Sequence, residues 1–152
     1  MQKAILLLVM MLFITTCNKQ PDIDQVLNLI ENGEHALVMS MLERGYNSNK
    51  ADSGGVSLLI MASKTGDLAI VDHLLNDNAD VNYQTKKGIT ALMVAAKEGN
   101  VQIAEKLLNK GADLKPETSH GWSALVLAAR YGDRETLTLL ENYDRPILAS
   151  DN

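Results

Sequence analysis

One stretch of the chain recurs at a fixed interval. Gly88 to Leu114 reads G-I-T-A-L-M-V-A-A-K-E-G-N-V-Q-I-A-E-K-L-L-N-K-G-A-D-L. The same pattern starts 33 residues earlier at Gly55 and 33 residues later at Gly121. A repeat of this length is one supersecondary unit that cannot bury its apolar face alone, so units must stack into an array. Each unit carries apolar residues at helical spacing: Ile70, Val71, Leu74 and Leu75 in one copy, Ile103, Ala104, Leu107 and Leu108 in the next. Ala62, Ser63, Ala95 and Ala96 are small enough for neighbouring helices to approach closely. Gly66 and Gly99 fall where antiparallel helices must turn, and glycine accepts positive φ at little cost.

This pattern resembles the ankyrin repeat. The resemblance implies an all-α fold, an ankyrin-repeat solenoid of about four helix-turn-helix repeats with projecting hairpin fingers. The units fall at approximately 22–51, 52–84, 85–117 and 118–145, within a domain spanning 22–152 that ends in a short tail. The chain departs from the family pattern at the T-P-L-H position, which reads Ser57-Leu58-Leu59-Ile60, Thr90-Ala91-Leu92-Met93 and Ser123-Ala124-Leu125-Val126. The family's His is absent, so apolar contacts have to replace part of the hydrogen-bond network it joins. A fold of modest stability is expected.

The end units differ from the middle ones. In the first, Val26, Leu29 and Ile30 form the packing face of the inner helix, and Leu37, Val38, Met41 and Leu42 that of the outer helix. Asp22 or Asp24 is placed to cap the first helix. Asp24, Gln25, Asn28 and Glu31 give it a polar outer side, as a terminal unit needs. In the last, the outer helix runs from about Arg134 to Tyr143. Leu137, Leu139 and Leu140 are its apolar residues, while Thr136, Thr138 and Glu141 read as a polar cap. Pro146 disfavours helix at Arg145, and Ile147 and Leu148 are placed to fold back on the cap.

The N-terminal segment stands apart from the repeats. Lys3 is followed by an almost wholly apolar run from Ala4 to Ile14, too short to span a bilayer as a mature helix. Its charged, apolar and small-residue regions follow the plan of a secretory signal peptide. Ile14-Thr15-Thr16-Cys17 resembles a bacterial lipobox, with Thr16 where Gly, Ala or Ser is usual. By that resemblance residues 1–17 are a lipoprotein-type leader with Cys17 as the acylated residue, and 18–21 form a short linker. Cys17 is the only cysteine, so no internal disulfide can form. Asn18 lacks the Asp that favours inner-membrane retention in that class. The expected location is therefore the outer membrane, facing the periplasm, with contact to the membrane only through the lipid.

The formal net charge is −5. A nucleic-acid partner would call for a basic patch or stripe, so none is expected. The best catalytic decoy is His120-Gly121-Trp122-Ser123-Ala124-Leu125, which faintly matches a hydrolase G-x-S-x-G elbow but lacks the final glycine. Ser123 occupies the slot of Ser57 and Thr90, so the repeat already accounts for it. His35, His73 and His120 fall in different units without ligand spacing. Asp80 and Asp113 sit at turn-forming repeat positions. The expectation is a non-enzyme with no catalytic residue, cofactor or metal, monomeric when unbound.

Function then falls to the inner surface, made of finger tips and the exposed side of the inner helices. The position after each leading glycine carries Val56, Ile89 and Trp122, an apolar column. The end of each inner helix carries Lys64, Lys97 and Arg130, a basic column, with Thr65, Glu98 and Tyr131 beside it. Ser53, Lys86, Lys87, Ser119 and His120 stand at the tips. Apolar and basic stripes with an aromatic anchor and an Arg have the composition of a protein-binding face. Basic residues there on an acidic chain point to a partner that presents carboxylates. An ankyrin lipoprotein of this size resembles the immunity proteins paired with phospholipase or lipase effectors of type VI secretion. That resemblance implies a protein partner that is a toxic lipase or phospholipase. The alternative is an envelope scaffold or an accessory protein that stabilises a resident periplasmic enzyme.

Overall fold

The computed structural model describes residues 20–144. The leader, Cys17, and the tail with Ile147 and Leu148 lie outside the described residues. Within them are four helix pairs. The inner helices are α1 (Ile23–Glu31), α3 (Leu58–Thr65), α5 (Ala91–Glu98) and α7 (Ala124–Tyr131). Their outer partners are α2 (His35–Glu43), α4 (Leu68–Asn76), α6 (Val101–Asn109) and α8 (Arg134–Asp144). Inner helices pack on inner helices and outer on outer, so the array grows by adding one pair at a time.

Helix starts follow from side-chain caps. Asp22 caps α1, its carboxylate accepting from the Ile23 N–H at 2.8 Å, and Gln25 Oε1 accepts from the Asp22 N–H at 3.2 Å. Ser57, Thr90 and Ser123 cap α3, α5 and α7 by accepting from the N–H groups of Ile60, Met93 and Val126. The hydroxyl half of the family's start-of-helix arrangement is therefore retained without its His, and Leu58, Ala91 and Ala124 beside the caps are buried.

One apolar core runs the length of the stack. Val26, Leu59, Ile70, Leu74, Leu92 and Leu107 are almost wholly buried. The expected packing residues of the first unit, from Val26 to Leu42, are buried as well. Asp24, Gln25, Asn28 and Glu31 are exposed and form the polar N-terminal end. The C-terminal end is different. Thr136, expected on the polar cap, is fully buried. It stands in the slot of Ile70 and Ile103, so the stack encloses it despite its hydroxyl. Val126, in the slot of Ile60 and Met93, is 44% exposed because no further helix covers it among the described residues. Leu125 is half-buried and Ala129 exposed for the same reason.

Adjacent units are tied by polar staples. Asn49 Oδ1 accepts from the Asp80 N–H at 2.8 Å. One unit on, Asn82 Oδ1 accepts from the Asp113 N–H at 2.8 Å and its Nδ2 donates to the Gly111 carbonyl at 3.0 Å. Asp80 and Asp113 accept in turn from the N–H groups two residues ahead, at Asn82 and Lys115, which is the turn role expected of them. The residue leaving each of the first three outer helices has positive φ: Gly45 at 85°, Asn78 at 58° and Gly111 at 86°. Asn78 is the only non-glycine residue with positive φ among the described residues, and Asn tolerates that region better than most.

Candidate protein-binding face

Three hairpin fingers carry the face. In the second, the Thr85 N–H donates to the Ile89 carbonyl at 2.9 Å; in the third, the Thr118 N–H donates to the Trp122 carbonyl at 3.0 Å. The tip of each finger is shaped by one side-chain oxygen in a fixed slot. Asp52 Oδ1 accepts from Gly54 and Val56, Thr85 Oγ1 from Lys87 and Ile89, and Thr118 Oγ1 from His120 and Trp122. Such local bonds fix a turn without help from the core. Neighbouring fingers are joined through the main chain, Lys86 N–H to Gly54 carbonyl at 3.2 Å and Ser119 N–H to Lys87 carbonyl at 2.9 Å. The column of Val56, Ile89 and Trp122 is thereby held half-buried along one side of the array.

Between the last two fingers and the inner helices α5 and α7 lies a cavity of about 360 Å³. Ile89, Met93, Val94, Trp122 and Leu127 supply its apolar lining, and Tyr131 closes one side. Lys64, Lys87, Lys97, Glu98 and His120 reach it from the rim. Nine residues predicted for the face are therefore gathered in one place. Val56 and Lys86 are not among them. Val56 sits one unit too early, and Lys86 is an exposed tip residue joined to the preceding finger through its main chain. Met93, Val94, Thr118 and Leu127 line the cavity without having been expected there.

Arg130 belongs to an aromatic cluster beside the cavity. Its guanidinium carbon lies 5.3 Å from the Trp122 ring centroid and 5.5 Å from that of Tyr131. The two rings are 6.0 Å apart, tilted by 36°. Arg130 Nε–H also donates to the Tyr131 hydroxyl at 3.0 Å. Stacking and hydrogen bonding hold the guanidinium in one place before anything binds. The basic column is partly compensated: Lys64 pairs with Glu31 at 2.9 Å and Lys97 with Glu98 at 3.4 Å. Both pairs are about half exposed, so each adds little to stability.

The histidines and Ser123 take up other roles. His120 Nδ1 lies 3.3 Å from Ser119 Oγ, while Ser123 Oγ accepts the Val126 N–H as a helix cap. His35 meets Asp67, whose other carboxylate oxygen caps α4 through the Ile70 N–H at 3.1 Å. No group of three or more His, Cys, Asp or Glu able to hold a metal occurs among the described residues. None of the helices among them is long and apolar enough to cross a membrane.

Stacked helix pairs, fingers joined edge to edge and a preformed apolar groove define a repeat solenoid of the protein-binding class. The profile of ankyrin repeats (3 copies) matches residues 58–149, well over half of the sequence, and the chain belongs to that family. Such repeats mediate binding to protein partners and are typically non-enzymatic scaffolds. The first helix pair lies before the matched residues yet keeps the same spacing and packing. A comparison with curated proteins found no match.

Proposed function

We propose that this protein is a lipid-anchored immunity protein, held at Cys17 on the periplasmic face of the outer membrane, that inhibits a type VI secretion phospholipase or lipase effector. The observation that carries the reading is the apolar groove at Trp122 with Lys87, Lys97 and Arg130 around it, which suits capture of a protein. Inhibition by covering the mouth of an enzyme's active site needs binding and no chemistry. An anchor on the periplasmic face would place the binder where an incoming lipase meets its substrate.

The test is affinity capture of the Cys17-anchored chain from envelope extract, read by mass spectrometry. A variant carrying Lys97→Glu, Arg130→Glu and Trp122→Ala serves as control. Capture of a secreted lipase by the parent alone, followed by loss of lipid hydrolysis when the two are mixed, is the expected result. Capture of a resident envelope enzyme, with lipase toxicity unchanged in cells, would replace the proposal with a scaffold or accessory role.

A further inference from the structure

The groove combines two chemistries within the reach of one short peptide segment. Its lining is apolar, from Ile89 and Met93 to Trp122 and Leu127, and it opens to solvent along one side. At its edge Lys87 has no carboxylate within 4.0 Å among the described residues. Arg130 spends its Nε–H on Tyr131 and forms no ion pair there, so its Nη groups keep their donors. A guanidinium fixed against aromatic rings presents a planar fork matched to a carboxylate. Lys97 is paired only with the neighbouring Glu98, at 3.4 Å and about half exposed.

The sign of this edge opposes that of the whole chain, which carries −5. Bulk charge would attract a basic segment, whereas the groove's own cations repel one at contact. Apolar burial supplies affinity without choosing a sign, and the edge supplies the choice. The geometry points to one occupant: an acidic segment of a partner protein that places an apolar side chain between Ile89 and Trp122 and a neighbouring carboxylate on Arg130 and Lys97. This rests on the reading that the face binds a protein, and on nothing about which protein it is.

The test uses the full-length chain in a neutral detergent. Short random segments are displayed and selected on it, and the recovered ones are measured as labelled peptides. Recovered segments are expected to combine an apolar residue with nearby Asp or Glu. Exchanging the acidic residues for Lys, or the apolar one for Ser, should weaken binding about tenfold or more. Binding should also change the emission of Trp122, the only tryptophan. The pair Lys97→Glu and Arg130→Glu should reverse the preference, so that the Lys-bearing peptide binds better, which an unfolded chain would not do.

Equal affinity for acidic and basic versions would overturn the inference. So would binding that leaves Trp122 emission unchanged, or recovery of no segment at all. An emission change with anionic vesicles but with no peptide would assign the groove to lipid instead. A lipase captured through this face by segments showing no charge preference would remove this inference and leave the proposed function standing. Acidic segments bound as described, with no lipase captured, would do the reverse.

Discussion

Gly66 and Gly132 occupy the same slot two units apart, and the structure gives them different reasons to be glycine. Gly66 ends α3 with φ 76°, a conformation that costs an L-residue about 1–2 kcal/mol. A Cβ there would meet only the Asn100 side chain, at 3.3 Å. Gly132 has φ −74° and ψ −175°, which any residue adopts. Its Cβ, however, would lie 2.4 Å from the Ala96 carbonyl oxygen and 2.9 Å from the Ala128 Cα, all main chain. Relief of the Ala96 contact requires the end of α7 to retreat from α5 by about 1 Å, and the Ala128 contacts, within α7 itself, need a further change in its last turn. Reduced freedom of the unfolded chain offsets either Gly→Ala change by a similar ~0.4–1 kcal/mol. The net expectation is a loss of about 1 kcal/mol for Gly66→Ala and about 3 kcal/mol for Gly132→Ala, the latter at the upper end of overpacking costs. In a domain of this size those losses lower Tm by roughly 4 and 10 °C. Asparagine separates the causes, because it tolerates positive φ but still carries a Cβ. Gly66→Asn should recover part of the loss seen with Ala, and Gly132→Asn none of it. Urea unfolding followed by far-UV circular dichroism reads all four variants. Equal losses for the two alanine variants, or rescue by Asn at Gly132, would refute the reasoning.

Three further outcomes are expected. The Tyr46 hydroxyl is buried without a hydrogen-bond partner, and burial pushes its pKa up, so Tyr46→Phe should raise stability by up to about 1 kcal/mol at an unchanged urea m-value. The Thr136 N–H holds the Asp133 carboxyl below the usual carboxylate range, so the folded state binds fewer protons than the unfolded one. That contribution is present above the ordinary carboxylate pKa and is lost as pH falls through the depressed folded value; an acid titration of Asp133→Asn should show a shallower loss than the parent. Asn82→Ala removes both staples to the 111–113 turn and should cost roughly 1–2 kcal/mol, seen as a lower urea midpoint.

Much of the architecture could be read from spacing because each unit must present the same face to its neighbours. Val26, Leu29, Ile30, Leu37, Val38, Met41 and Leu42 are buried as the degenerate first unit requires, although that unit lies before the residues matched by the family profile. Two functional columns were also present in the 33-residue interval and are recognisable once the interval is applied to polar residues. Asn49 and Asn82 are the staples, and Asp52, Thr85 and Thr118 are the tip formers. Other features depend on what lies beyond a repeat. The negative φ of Gly132 arises in the last described unit, whereas the burial of Thr136 follows from the interval once its slot is read from Ile70 and Ile103 and not from its hydroxyl. Val56 and Lys86 match the pattern of the face but not its position, since a groove needs two adjacent fingers and two helices around it. The seat of Arg130 against two rings is set by side-chain conformation, which periodicity does not specify.

The uncovered side of α7 bears on how the array opens. In a linear stack each pair is held only by its neighbours, and among the described residues the α7–α8 pair has one neighbour instead of two. Its inner helix leaves Val126 and Ala129 in water where the preceding unit buries Met93 and Ala96. Local opening should therefore begin at α7 and α8, at a free energy below that of global unfolding. Trp122, Leu127, Arg130 and Tyr131 lie on this last pair, while Ile89, Met93 and Lys97 lie on the one before it. An occupant of the groove bridges that joint, so it acts as the missing neighbour. Amide exchange in α7 and α8 should slow on occupancy by a factor set by ligand concentration over Kd, making the terminal pair a gauge of how full the groove is.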